Sequence, residues 1–306
     1  MNSHVINTSG MKKDISWQIL KGFAVEDKTS FTYQDVLEKF PSSSNTSLSN
    51  VLNRMIAKGT ITKLGRGHYL IVPTMYDAET YLPNWHVVAK MLMEGKKYYI
   101  GYYSAMQIHG LITQPSLEEI IVIEDRTSTP VKLIQGVKFT FVTQMTERFF
   151  GVEKSWLNDF DRVAVSDLEK TIVDACTKPH LCGGIVEVAR AIFDTKDKID
   201  LQQLLRYFVT NNSNAAIKRY LFLCYVVEVE WTAYHQGMIN KQLEITVTLE
   251  NMKEFERNTT PLSDEHSLGN AFPLLDTTAL DEGKKDSGFG LKMNVDIETI
   301  KNGIYT

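Results

Sequence analysis

One stretch of the chain admits little choice of local structure: Leu48, Val51, Leu52, Met55 and Ile56 recur at helical spacing, and Gly59 follows. Apolar side chains three and four residues apart share one face of a helix, so these five form a stripe that has to be buried. Gly59 supplies the left-handed residue that ends such a helix. Two helices are expected before it. Ile15, Ile19, Leu20 and Phe23 mark one over residues 15–24, and Val36, Leu37 and Phe40 mark a second, which Thr32 opens with its hydroxyl placed to cap Asp35. Pro41 cannot continue helical hydrogen bonding, and Ser42, Ser43, Ser44 and Asn45 supply turn and cap chemistry, so a tight turn joins the second and third helices. Beyond Gly59, residues 61–64 and 68–72 flank Gly65-Arg66-Gly67, a hairpin in outline. Helix, helix, turn, helix and hairpin is the order of a winged helix-turn-helix, whose third helix enters the major groove.

The side of the third helix opposite its apolar stripe carries Ser47, Asn50, Asn53 and Arg54, with Ser44, Asn45 and Thr46 at its N-terminal end. Asn and Arg form paired hydrogen bonds to adenine and guanine edges, and free N–H groups at a helix start favour phosphate. Lys63 and Arg66 on the hairpin reach toward a phosphate backbone, and His68 opens its second strand, which completes the expected DNA-contact set. Charge agrees. Through residue 75 nine Lys and Arg face five Asp and Glu, a net +4, while the whole chain carries −4, leaving −8 beyond that point. A basic head on an acidic body suits a DNA-reading module joined to something with another task. The competing reading is a winged helix used only for protein contacts, its polar face merely solvated.

At 306 residues the chain has room for about two domains. Pro73 and Pro83 bracket a linker over residues 73–84, giving a winged helix-turn-helix domain over 1–80 and a larger domain over 81–306. In that body, helices are expected over residues 85–93, 104–111, 167–175 and 214–227, with another running from Gly183-Gly184 through 193. Strands are expected over 119–124 and 138–143, and Leu243, Ile245, Val247 and Leu249 alternate as in a half-buried strand. The fold class is therefore α+β: a winged helix-turn-helix followed by a mixed α/β domain.

Enzymatic signatures are weak. Asp167, Glu169, Lys170 and Asp174 carry the oxygens a divalent cation takes, but at helical spacing they serve surface ion pairs equally well. Cys176, His180 and Cys182 are zinc-ligand types without a fourth ligand near them, so packed thiols are the ordinary reading. His109 and the tyrosines of residues 98–103 suit a ligand cage less well than they suit a core. Glycine-rich nucleotide motifs and the serine nucleophile elbow are absent from the sequence, so no cofactor and no catalytic residue are expected. The longest apolar run, residues 221–227, is far shorter than the roughly 20 residues a membrane helix needs. With three cysteines and no leader layout, a cytoplasmic protein with reduced thiols is expected.

Several segments in succession resemble the AbiEi antitoxins of bacterial type IV toxin–antitoxin systems. They are the Gly-Arg-Gly-His-Tyr hairpin at 65–69, YYIGYYSAMQIHGL at 98–111, VAVSDLEKTIVDACTKP at 163–179, the Gly-Gly after it, and GLKMNV at 290–295. The resemblance implies a non-enzymatic autorepressor of an abortive-infection operon, whose head binds operator double-stranded DNA. It further implies that the body counteracts a nucleotidyltransferase toxin encoded next door, without a stable complex between the two. Two other functions stay open at this point: a transcription factor whose body senses a small molecule, and a nuclease targeted by a winged-helix head.

Overall fold

A computed structural model describes residues 14–304, apart from 27, 66, 80, 82–83, 113, 115, 125–129, 158–160, 231, 233, 236–237, 239–271, 279–282 and 287. The expected strand over residues 243–249 lies outside the described residues, and so does Arg66. The chain divides into two compact units, Met1–Glu94 and Gly95–Thr306. The division falls after Glu94, beyond the linker anticipated at 73–84. The helix α4 (Trp85–Leu92) lies against the hairpin strand β2 (Ile61–Gly65), so the stretch after Pro73 returns to the first unit.

In the first unit, α1 (Ile15–Ala24), β1 (Ser30–Thr32), α2 (Tyr33–Lys39), α3 (Asn45–Ala57), β2 and β3 (His68–Ile71) follow in order. The antiparallel sheet runs β1-β3-β2. Ile19, Phe23, Val36, Leu48, Val51, Leu52 and Met55 bury the faces on which the sequence placed them. Phe23 stacks on Phe31 at 4.5 Å and Phe31 on Tyr69 at 5.5 Å, so aromatic rings fasten the sheet to α1. Helix ends follow local chemistry. The Thr32–Asp35 capping box is complete: Asp35 N–H donates to Thr32 Oγ1 at 3.0 Å, and Thr32 N–H donates to Asp35 Oδ2 at 2.6 Å. At the end of α3, Gly59 adopts φ +67°. Its N–H donates to Ile56 O and that of Thr60 to Met55 O, the paired bonds of a Schellman stop.

The second unit is built on a six-stranded mixed sheet. β4 (Tyr98–Ile100), β5 (Glu118–Ile123), β6 (Val131–Ile134), β7 (Val137–Thr143), β8 (Val152–Trp156) and β9 (Arg162–Ser166) lie in the order β6-β7-β5-β4-β9-β8. Parallel pairs β5/β7 and β4/β9 alternate with antiparallel ones. β5 is buried from Glu119 through Ile123, as expected of an interior strand covered on both faces. Packed with the sheet are α5 (Tyr102–Ile108), α6 (Leu168–Thr177), α7 (Ile185–Thr195), α8 (Leu201–Asn211) and α9 (Asn214–Val226). Near the end come β10 (Lys284–Asp286), β11 (Leu291–Met293) and α10 (Ile297–Ile304). No helix among the described residues is long and apolar enough to cross a membrane.

The expected surface ion pairs on α6 are not at the surface. Lys170 and Asp174 are fully buried, and Lys170 Nζ donates to Asp174 Oδ1 at 2.6 Å. Asp167 instead caps α6 by accepting from Lys170 N–H at 2.8 Å, and its other oxygen takes the Tyr207 hydroxyl at 2.7 Å. A second buried charge, Arg219 on α9, has carbonyls as partners. Its guanidinium donates to Cys176 O and Thr177 O in the last turn of α6 and to Leu274 O and Leu275 O. A cation at a helix C-terminus complements the helix dipole there, and the same side chain fastens residues 274–275 to the core. Removing one partner of a buried pair leaves an uncompensated charge, so Asp174→Asn should destabilise the second unit by about 3–5 kcal/mol. Urea unfolding of the full chain measures this, and an unchanged midpoint for that unit would contradict it.

Candidate nucleic-acid interface

Burial of one side of α3 determines what its other side presents. Asn50, Asn53 and Arg54 are exposed, as are Ser44, Asn45, Thr46 and Ser47 around the helix start. The side chains of Asn50 and Asn53 make no hydrogen bond within the described residues, so their amides are free to pair with another molecule. Ser44 is the N-cap: its Oγ accepts from Ser47 N–H at 3.2 Å, which leaves its own hydroxyl proton available as a donor. Arg54 is placed at the rim of this face. It and Lys58 act electrostatically on Asp14, whose carboxyl is held below its usual range chiefly by the backbone N–H of Ser16, with the two cations adding to the effect.

The hairpin contributes less uniformly. Lys63 is exposed on β2, where the register with β3 shifts between Lys63 and Gly65. A bulge of this kind twists a strand end and re-aims its side chains. His68 belongs to the expected set. It is half-buried, and its Nδ1 lies 3.8 Å from Glu94 Oε2 within the first unit, so it faces a carboxylate of its own unit. Arg66, expected at the hairpin tip, lies outside the described residues.

Tyr33 is a residue the sequence reasoning passed over. Its backbone N–H donates to Gly67 O at 2.6 Å, and its hydroxyl donates to Asn45 O at 3.1 Å and lies 3.3 Å from Ser49 Oγ. One residue thus ties the tip of the hairpin to the first turn of α3. The signal was present only as a tyrosine beside the Thr32 cap, and nothing in its spacing pointed to α3. Several elements were also passed over, β1 and α8 among them. β1 has three residues, too few for a two-residue period to show, and α8 was left unassigned although Leu204 and Phe208 are buried at helical spacing.

Among the described residues no group of three His, Cys, Asp or Glu is placed to hold a metal ion. Cys176, Cys182 and Cys224 are free and buried, and burial pushes all three thiols up, Cys224 to about 12. Tyr99 and Tyr102 are fully buried, in the core of the second unit. A cavity of about 300 Å³ opens where α7 ends, lined in part by Ile192, Ile199, Leu201, Tyr220 and Val229.

No protein-family model matches the chain, and no curated protein matches it. Among solved structures, the crystal structure of the RV2827C protein from Mycobacterium tuberculosis is similar, with a TM-score of 0.62 at 12% identity over 95% of this chain and 94% of that one. The likeness is one of fold, and it supports the α+β architecture across both units.

Tyr33→Phe keeps the ring and removes both side-chain contacts to α3. It should cost the first unit about 1 kcal/mol and speed amide hydrogen exchange in the first turn of α3. Exchange rates identical to the parent chain would show that the tie does not hold α3 in place.

Proposed function

We propose that the chain is a DNA-binding transcriptional repressor whose first unit is a winged helix-turn-helix and whose second unit counteracts a toxin. The observation that carries the first half is the free polar face of α3. The side chains of Asn50 and Asn53 are exposed and unpartnered beside a capped helix start, opposite a stripe in which Leu48, Val51, Leu52 and Met55 are buried. Helix, strand, helix, helix and hairpin follow in the winged-helix order, and Lys63 stands exposed on the hairpin. In this reading Asn50, Asn53 and Arg54 meet base edges, while Ser44, Thr46 and Lys63 hold phosphates. The second half rests on the resemblance of the body's motifs to AbiEi antitoxins: the opponent is a nucleotidyltransferase toxin, countered without a stable complex. Such a repressor acts in the cytoplasm, where its operator is, and three free thiols suit that compartment.

The two kinds of DNA contact should fail differently. Asn50→Ala or Asn53→Ala should cost about 1–3 kcal/mol on the operator and relax specificity at one position, whereas Lys63→Ala should weaken all duplexes and lower the salt slope by about 1. Titrations of operator and random duplex at several salt concentrations read both effects. If all three variants bind as the parent does, the α3 face is not the reading surface. A chain carrying Asn50→Ala and Asn53→Ala together should lose repression of its own promoter yet still protect cells that express the neighbouring toxin. Loss of protection in that chain would tie both activities to DNA.

The cavity at the end of α7 favours one second reading, a ligand-sensing regulator. Its volume of about 300 Å³ is at the lower end of small-molecule sites. Operator affinity that changes with an added metabolite and stops changing in Leu201→Trp would select that reading.

A further inference from the structure

The two body motifs at residues 98–111 and 163–179 meet in the second unit, at a cluster of charges and phenols that the proposed function leaves unused. Both oxygens of Asp174 are engaged, Oδ1 by Lys170 Nζ at 2.6 Å and Oδ2 by the Tyr99 hydroxyl at 3.1 Å. Lys170 therefore neutralises the one carboxylate. Two more cations stand nearby. Lys178 Nζ lies 5.8 Å from the centroid of the Tyr102 ring. Arg148 closes a 3-10 turn just before Phe149, whose ring packs edge-on against Tyr99 at 5.0 Å. Arg148 and Lys178 are half-buried, and neither side chain makes a hydrogen bond or salt bridge within the described residues. Burial lowers the pKa of Lys178, and the charges acting on it are Asp174, Arg148 and Lys170. With Asp174 matched by Lys170, two positive charges are left over.

Tyr102, on which the charges of Asp174 and Arg148 both act, is unusual twice. Its hydroxyl is buried and has no hydrogen-bond partner. Its backbone, at the first residue of α5, is held at φ +55°, a left-handed conformation that an aromatic residue rarely adopts. The residue before it is fixed by packing, since a Cβ on Gly101 would fall 2.8 Å from Val122 Cγ2. A strained backbone, a buried donor without an acceptor and two unpaired cations at one place are what a binding site looks like before its ligand arrives.

We propose that Arg148, Lys178 and the Tyr102 hydroxyl form a binding site for a small dianion of the phosphate class. Arginine offers a planar fork that matches phosphate oxygens, lysine a point charge, and the phenol a third donor. The surplus of two positive charges matches a dianion. The site owes nothing to DNA reading by α3, and either can fail alone.

The test uses the full chain with inorganic phosphate as the probe, against chloride at equal ionic strength, read by calorimetric titration and by Tm. Saturable binding and a raised Tm are expected. Arg148→Gln and Lys178→Gln should each weaken phosphate binding at least about tenfold, whereas Asn53→Ala on α3 leaves it unchanged. Tyr102→Phe removes an unpaired buried hydroxyl, so the ligand-free Tm should hold or rise while phosphate affinity falls. Three results would overturn the proposal. One is the absence of saturable phosphate binding. Another is binding that persists in Arg148→Gln and Lys178→Gln, which would put the anion elsewhere on the chain. The last is a lower ligand-free Tm in Tyr102→Phe, which would mean the hydroxyl is already bonded.

Discussion

Burying Leu48, Val51, Leu52 and Met55 on one side of α3 decides what the first unit can do. A helix so anchored cannot rotate, because turning its polar face inward would bury Asn50 and Asn53 without partners and expose the stripe. Four further features keep it in register: the Ser44 cap, the Schellman stop at Gly59, the capping box that starts α2, and the Tyr33 tie to the hairpin. Each acts at an end or on the backbone, and none uses the outward side chains of Asn50 and Asn53. Those side chains stay uncommitted, and the rigid frame fixes where the proposed DNA would meet them.

The body is organised by charges that have been taken out of water. Lys170 and Asp174 neutralise one another beneath the sheet, and Arg219 holds the end of α6 through carbonyls alone. Groups of this kind are costly unless every donor is met, so they impose geometry on the elements around them. Tyr99 joins that network through Asp174, whereas Tyr102 stands beside it without a partner. Within one cluster, then, most of the polar atoms build the fold and a few remain uncommitted.

The first unit was legible in the sequence because its information is local. Apolar spacing placed α1, α2 and α3, Thr32 and Asp35 announced their capping box, and Gly59 announced the stop. The helices α5, α6, α7 and α9 and the strands β5 and β7 were legible for the same reason. The rest depended on distance along the chain. An i, i+4 Lys-Asp pair looks alike on a solvated helix and a buried one, and only the packing of α6 against α8 and α9 shows which Lys170–Asp174 is. The tie from Tyr33 to Asn45, the turn of His68 toward Glu94 and the place of α4 in the first unit all join residues whose separation leaves no periodic trace.

In the proposed function, duplex DNA is read by the exposed face of α3 with support from the hairpin. Amide hydrogen exchange on the full chain, with and without duplex selected from a random-sequence pool, tests it most directly. Slowed exchange is expected at residues 44–54 and 61–68 on DNA addition, with residues 95–304 unchanged. Slowing confined to residues 95–304, or no slowing in α3, would contradict it.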